Sequence, residues 1–446
     1  MTVQAKPRGK MVNAFDPSAM ADLNEKSRRM VERRTSVLGP AYRLFYSNPV
    51  EVVRAKGAFL FDSAGNDYLD AYNNVVSVGH CHPKVVDAVY RQLQTVCTHT
   101  RYLQEEILKF SEDLLSTIGG RIEHVMFTCT GSEANDLALR IAKHKTQKQG
   151  IIITDEAYHG NSELTSGISP SLGAYSPLGT WVRRIPAPDS YRAPRKDMGI
   201  WMAQNVAAQI DDLERRGEGL AAFIADSIFS SDGIFSGPTD FLSPVIEVVH
   251  QAGGLFIADE VQSGFGRTGD KLWGFQRHGI SPDIVTMGKP MGNGFPVAAV
   301  AIASDVVEEF GRDTRYFNTF GGNTVAIAAA QATLNVIREE CLQQNASRVG
   351  SVIRDGLAEL AKRHSQIGDI RGAGLYIGVE LVKNFESKEP DSESALKIVN
   401  GLRERRVLIS ATGVNSNILK IRPPLIFDQS NADRLLGELE AVLLSL

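Results

Sequence analysis

The chain has 446 residues, with 48 lysines and arginines against 52 aspartates and glutamates, a formal charge of −4 and four cysteines. That length is ample for two or three domains, or for one large core with a smaller one attached, and the charge balance leaves no cationic surplus for binding nucleic acid. Cys81, Cys97, Cys129 and Cys341 stand far apart outside any CxxC spacing, so no disulfide framework is expected. The polar, basic start lacks an apolar run and no window approaches roughly 18 uncharged apolar residues, which predicts a cytoplasmic protein without secretory signal or membrane span.

Residues up to Lys10 show no periodicity and read as a mobile tail, whereas residues 19–34, charged and rich in helix formers, predict a mostly solvated helix. Over residues 50–69 short alternating runs around Ser63-Ala-Gly-Asn predict a hairpin or meander. Short apolar strands then alternate with helical patterns: 125–127 ahead of a helix from Ser132, then 151–153, 221–224, 255–258 and 284–285. Such alternation makes an α/β protein with a mainly parallel sheet covered on both faces. A strand over 374–381, a helix over 395–405, a strand over 419–422 and a closing helix after Ser430 make a smaller α+β unit. In the closing helix Leu435, Leu436, Leu439, Val442, Leu443 and Leu446 fall on one face. The expected division is residues 1–72 folded onto the smaller domain, a large domain over 73–330 and a C-terminal domain over 331–446.

The most informative chemistry begins at Leu255-Phe-Ile-Ala-Asp-Glu-Val-Gln-Ser, followed by Met287-Gly-Lys-Pro-Met-Gly, whose Lys289 stands 30 residues after Asp259. A carboxylate at the end of one buried strand and Lys289 at the end of the next meet at the carboxyl edge of a parallel sheet, where α/β proteins bind ligands. The pair suits pyridoxal phosphate: a lysine for the cofactor aldehyde and an ionised aspartate for its ring nitrogen. A surface ion pair between strand ends is the alternative. Thr128-Cys-Thr-Gly-Ser-Glu-Ala-Asn runs from a strand into a helix through a turn that suits either a phosphate or an ordinary N-cap. Tyr158-His-Gly places an aromatic after a strand, to stack on a flat ring or fill the core, and Tyr316-Phe-Asn-Thr-Phe-Gly-Gly-Asn suits an anion or a tight turn. Three weaker signals are set aside. Gly264-Phe-Gly-Arg-Thr-Gly opens no helix, Gly288-Lys-Pro lacks the rest of a P-loop, and His80-Cys-His lacks further metal ligands, so no metal is expected.

Taken in order, Gly79-His-Cys-His-Pro, Thr130-Gly-Ser-Glu-Ala-Asn, Tyr158-His-Gly, Ala258-Asp-Glu-Val-Gln-Ser-Gly-Phe-Gly-Arg and Phe317-Asn-Thr-Phe-Gly-Gly resemble the class III (subgroup II) aminotransferases among the fold-type I pyridoxal-phosphate enzymes. The resemblance runs from about Gly39 to the C-terminus and implies a mainly parallel seven-stranded sheet, pyridoxal 5'-phosphate as cofactor, and a homodimer or a tetramer of such dimers. It also implies roles. Lys289 is the Schiff-base lysine, Asp259 partners the pyridine nitrogen, and Gln262 lies near the phenolic oxygen. Gly131 and Ser132 hold the phosphate, Tyr158 stacks on the ring, and Thr319 reaches the phosphate of the neighbouring subunit's cofactor. Asp226 stands in a Glu-Pro position of the family, keeping a carboxylate on a shorter arm.

Within the class the chain is most similar to the ethanolamine-phosphate and 5-phosphohydroxylysine phospho-lyases and the alanine–glyoxylate aminotransferase-like branch, through Asn73-Asn-Val-Val-Ser-Val, Thr100-Arg-Tyr-Leu, Ile168-Ser-Pro, Pro188-Asp-Ser-Tyr-Arg and Asn417-Ile-Leu-Lys-Ile-Arg-Pro-Pro. Where many class III transaminases carry an arginine three residues before the final Pro-Pro, this chain has Lys420. The implied activity is elimination of phosphate from a small phosphorylated amine, O-phosphoethanolamine or 5-phosphohydroxylysine, with amino transfer to pyruvate or glyoxylate as the alternative. Candidate donors to the substrate phosphate are Tyr42, Arg43, Asn74, Lys420 and Arg422.

Overall fold

The computed structural model describes residues 11 and 13–446, so the tail expected up to Lys10 lies outside the described residues. The first helical stretch breaks in two where one helix was expected. A 3₁₀ turn at Pro17–Asp22 ends at Leu23, and an α-helix, Glu25–Leu38, restarts because Asn24 caps it by accepting the Ser27 amide at 2.9 Å. Strands β1 (Arg54–Lys56), β2 (Phe59–Phe61) and β3 (Asp67–Asp70) form the expected antiparallel meander. Its second turn is closed by Asp62, which accepts the Ala64 and Asn66 amides at 3.0 and 2.9 Å.

Seven strands follow: β4 (Ile122–Thr128), β5 (Gly150–Thr154), β6 (Val182–Ile185), β7 (Leu220–Asp226), β8 (Leu255–Asp259), β9 (Ile284–Met287) and β10 (Ala298–Ala303). They lie in the order β4-β10-β9-β8-β7-β5-β6, with β10 antiparallel to both neighbours and the other pairs parallel. Every residue of β5, β9 and β10 is buried, as a sheet covered on both faces requires. The fold is therefore the expected mainly parallel α/β sheet. β6 and β10 have no counterpart among the predicted strands: two arginines interrupt β6, and β10 is a run of small apolar residues that a helix could equally bury.

The last strands are β11 (Ile367–Ala373), β12 (Tyr376–Leu381), β13 (Val407–Leu408), β14 (Ser410–Thr412) and β15 (Ile418–Ile421). β11-β12-β15-β14 make a separate antiparallel sheet, while β13 leaves it to pair in parallel with β3. The strand expected over 374–381 begins two residues late. Gly374, at φ +53°, sits in the β11–β12 turn, where an added Cβ would lie 2.5 Å from the Arg267 carbonyl oxygen. The closing helix, Gln429–Leu443, buries Leu435, Leu439, Val442 and Leu443 and half-buries Leu436. Leu446 lies past its end and is exposed, against the predicted face.

Candidate active site

Strand ends assemble the site. β7 and β8 are in parallel register with Asp226 opposite Asp259, and Asp259 is opposite Thr286 on β9, so Lys289 follows just beyond the same edge. Across that edge the helix Gly131–Thr146 starts on a complete capping box. Thr130 accepts the Glu133 amide at 3.2 Å while Glu133 accepts the Thr130 amide at 3.2 Å. Together they enclose a cavity of about 400 Å³, lined by Gly131, Ser132, Tyr158, Asp226, Asp259, Gln262 and Lys289 among others.

Asp259 is held by three donors. Asn135 Nδ2 donates to its Oδ2 at 2.9 Å, His159 Nδ1 lies 2.7 Å from the same oxygen, and the Val261 amide donates to Oδ1 at 3.1 Å. Burial is the largest influence and pushes its pKa up, yet His159, Asn135 and Val261 together outweigh it and hold the carboxyl below its ordinary range. An ionised carboxylate only accepts, so His159 Nδ1 carries the proton. Asn135 is itself fixed, donating to the His159 carbonyl at 2.7 Å and accepting from Thr286 Oγ1 at 2.6 Å. Asp226, beside Asp259, goes the other way: burial raises its pKa against hydrogen bonds from Ser230 and the Ile228 amide, and the Asp259 charge adds to the rise. The pair is one ionised acid next to one pushed toward its neutral form.

Lys289 makes no hydrogen bond or ion pair with a described residue. Burial and then the Arg422 charge lower its pKa from 10.5 to about 8, against the pull of Asp259 and Asp226. The amides of Gly131 and Ser132, at the helix start, have no acceptor among the described residues. Gly160 closes over them: at φ +145° it stands where a Cβ would lie 2.7 Å from Ser132 Oγ, and Ser132 Oγ in turn accepts the Asn161 amide at 3.1 Å. A nucleophilic amine, an anion-ready helix start, an ionised carboxylate and the half-buried Tyr158 ring share one cavity, a set that fits a phosphorylated, cationic heteroaromatic aldehyde.

The remaining sequence candidates divide. Asn74 and Arg422 reach Gln262 Oε1, at 3.0 and 2.5 Å. Lys420 is close enough to Arg422, Lys289 and Asp226 to feel their charges, and its pKa is lowered by burial first and by the two cations next. Tyr42 and Arg43 lie on the exposed surface and do not line the cavity. Thr319 is exposed and outside its own chain's cavity. The structure adds His159, Asn135 and Thr286 behind Asp259 and Tyr376 beside Gln262, its hydroxyl 3.4 Å from Oε1. Asn135 and His159 lie within the quoted Thr-Gly-Ser and Tyr-His-Gly segments, next to residues whose roles were anticipated.

Comparison with known proteins agrees with this geometry. Residues 45–443 match the family model described as aminotransferase class-III. The chain is 39% identical to ethanolamine-phosphate phospho-lyase homolog 1 of Caenorhabditis elegans, covering 96% of each. It is 40% identical to the alanine–glyoxylate aminotransferase 2-like protein of Drosophila melanogaster, covering 91% of this chain and 85% of the relative. Among solved structures it superposes on a phospholyase from Arthrobacter in complex with phosphoethanolamine, with a TM-score of 0.90 and 42% identity over 94% of this chain and 100% of that one. An aminotransferase from Bacillus anthracis gives a TM-score of 0.88 at 29% identity over 95% and 99%. The chain belongs to the class III aminotransferase family and is an enzyme that uses pyridoxal phosphate.

Proposed function

We propose that the enzyme is a phospho-lyase that removes phosphate from a small phosphorylated amine, O-phosphoethanolamine or 5-phosphohydroxylysine, giving an aldehyde, ammonia and inorganic phosphate. The observation that carries this reading is Lys420, a half-buried lysine close enough to Lys289 to feel its charge and with no hydrogen bond or ion pair to a described residue. Burial and the Arg422 and Lys289 charges push its pKa down, and a dianionic substrate group supplies the counter-charge that favours the ammonium form where a neutral amine does not. The relative named for ethanolamine phosphate and the neighbour holding phosphoethanolamine support the same substrate class.

In this reading Gly131 and Ser132 would hold the cofactor phosphate, Tyr158 would pack on the ring and Asp259 would favour a protonated ring nitrogen. Pyridoxal phosphate, when bound, supplies the electron sink for the bond broken at the amine-bearing carbon. Lys289 takes the proton from that carbon, which its lowered pKa suits near neutrality. Lys420 holds the substrate phosphate as its carbon–oxygen bond breaks. The unsaturated amine left behind adds water and splits into aldehyde and ammonia. A second copy completes the site through Thr319, in keeping with the exposed apolar side chains around it: Leu103 is 99% and Phe320 68% exposed.

The rival is amino transfer to pyruvate or glyoxylate by the same cavity, which the name of the Drosophila relative favours. Incubation with O-phosphoethanolamine and no keto acid separates the two. Phosphate release over many turnovers supports the lyase; no release, together with alanine formed from pyruvate, overturns it.

A further inference from the structure

Arg422 is buried, 6% exposed, and its guanidinium carbon lies 4.5 Å from the Tyr72 ring centroid and 5.9 Å from that of Tyr376. Its Nη1 donates to Gln262 Oε1 at 2.5 Å, and Asn74 Nδ2 donates to the same oxygen at 3.0 Å. The Tyr376 hydroxyl lies farther out, at 3.4 Å. An arginine can only donate, so the amide atom facing it must be oxygen. A carbonyl oxygen has two lone pairs, and these two donors occupy both. Gln262 cannot turn its oxygen toward the cavity without breaking a charge-assisted hydrogen bond in a buried place. Its Nε2 is bonded to no described residue and the side chain lines the cavity, so both N–H groups are left for a ligand. Asn74 is placed by its own loop: Asp70 Oδ1 accepts the Tyr72 and Asn73 amides at 3.2 and 2.9 Å, and its Oδ2 lies 2.8 Å from His80 Nε2.

We infer that Arg422, with Asn74 as its second, is a positioning residue that locks the Gln262 amide with its N–H edge toward the cofactor, rather than a ligand of the substrate. The inference holds for lyase or transaminase alike. Two N–H dipoles aimed into the cavity disfavour positive charge at the Lys289 nitrogen, so their loss raises its proton affinity.

The test is the pH midpoint of the visible absorbance of the cofactor-loaded enzyme with no substrate present, where a substrate ligand has nothing to bind. Arg422→Met is expected to move the midpoint up by roughly one pH unit, the scale of one hydrogen bond to a charged group. Removing the arginine charge alone also raises it, so the variant is repeated in a Gln262→Ala background. There the added shift is expected to shrink to the charge effect, to about half or less. Asn74→Ala removes the other donor without touching any charge and should move the midpoint the same way, which keeps the test open if Arg422→Met does not fold. An unmoved midpoint in both single variants, with a raised KM for O-phosphoethanolamine in Arg422→Met, overturns the inference, as does a full shift in the Gln262→Ala background. Phosphate release by the unaltered enzyme is read separately, so the substrate reading and this one fail independently.

Discussion

Lys289 yields a quantitative expectation for how the cofactor is captured. An aldehyde is attacked by a neutral amine, and at pH 7.5 an amine titrating at about 8 is roughly one-quarter neutral, against about one part in a thousand for one at 10.5. The perturbed lysine thus has a 200-fold or so larger reactive fraction than an exposed one. Cofactor-free protein mixed with pyridoxal phosphate should gain its visible band at a rate that rises with pH and levels off just above about pH 8, after division by the same series run with a simple reference amine. The causes give the sign of two variants. Arg422→Met removes a cation that lowers the Lys289 pKa and should move the levelling point up; Asp259→Asn removes an anion that raises it and should move the point down. A rate that climbs tenfold per pH unit to about pH 10 would falsify the burial argument and return Lys289 to an ordinary lysine.

Asp259→Asn cannot hold a negative charge opposite a protonated ring nitrogen, and its kcat should fall by about 10²–10³-fold, measured with saturating cofactor; a fall of less than a few-fold would remove Asp259 from the chemistry. Lys420→Gln should raise KM for O-phosphoethanolamine by roughly 10-fold or more while sparing the visible band, since the loss is one charge-assisted hydrogen bond to phosphate; an unchanged KM ends its role as the phosphate ligand. Gly160→Ala forces a Cβ to within 2.5 Å of Thr165 Oγ1 and 2.7 Å of Ser132 Oγ at φ +145°. It should cost about 1–3 kcal/mol of stability in thermal unfolding and weaken cofactor binding in an equilibrium titration; normal values in both would show that the cradle yields freely.

Much of this was legible because strand ends are local. Asp259 and Lys289 close apolar runs too short for helices, and the parallel register that brings them together follows from strands alternating with helices. What stayed hidden depends on side chains meeting across long stretches of chain. Nothing near Asn135 in the sequence says that it bridges Asp259 and Thr286, because an asparagine in a helix after a Thr-Gly-Ser turn looks like part of the cap. The sequence reading of Tyr158-His-Gly rests on the tyrosine and gives His159 no role, and its donation to Asp259 appears only when β5 and β8 stand in one sheet. Arg422 reads in the sequence as a donor to a substrate phosphate because it is a cation; the two tyrosine rings and the amide oxygen that engage it come from three separate segments.

The parallel ladder between β3 and β13, with Leu69 opposite Val407 and Asp70 opposite Leu408, also orders events at the ribosome. Residues 54–70 emerge early, yet β13 follows some 340 residues later. Until then β3 presents an open edge, and Leu69, fully buried at the end, has only β2 beside it in the sheet. At about 5–20 residues per second that wait lasts of the order of half a minute. Strands β1–β3 are made long before the strand that completes their sheet, and a slow codon or a chaperone acting on this nascent segment would govern the yield of folded enzyme without touching a residue of the active site.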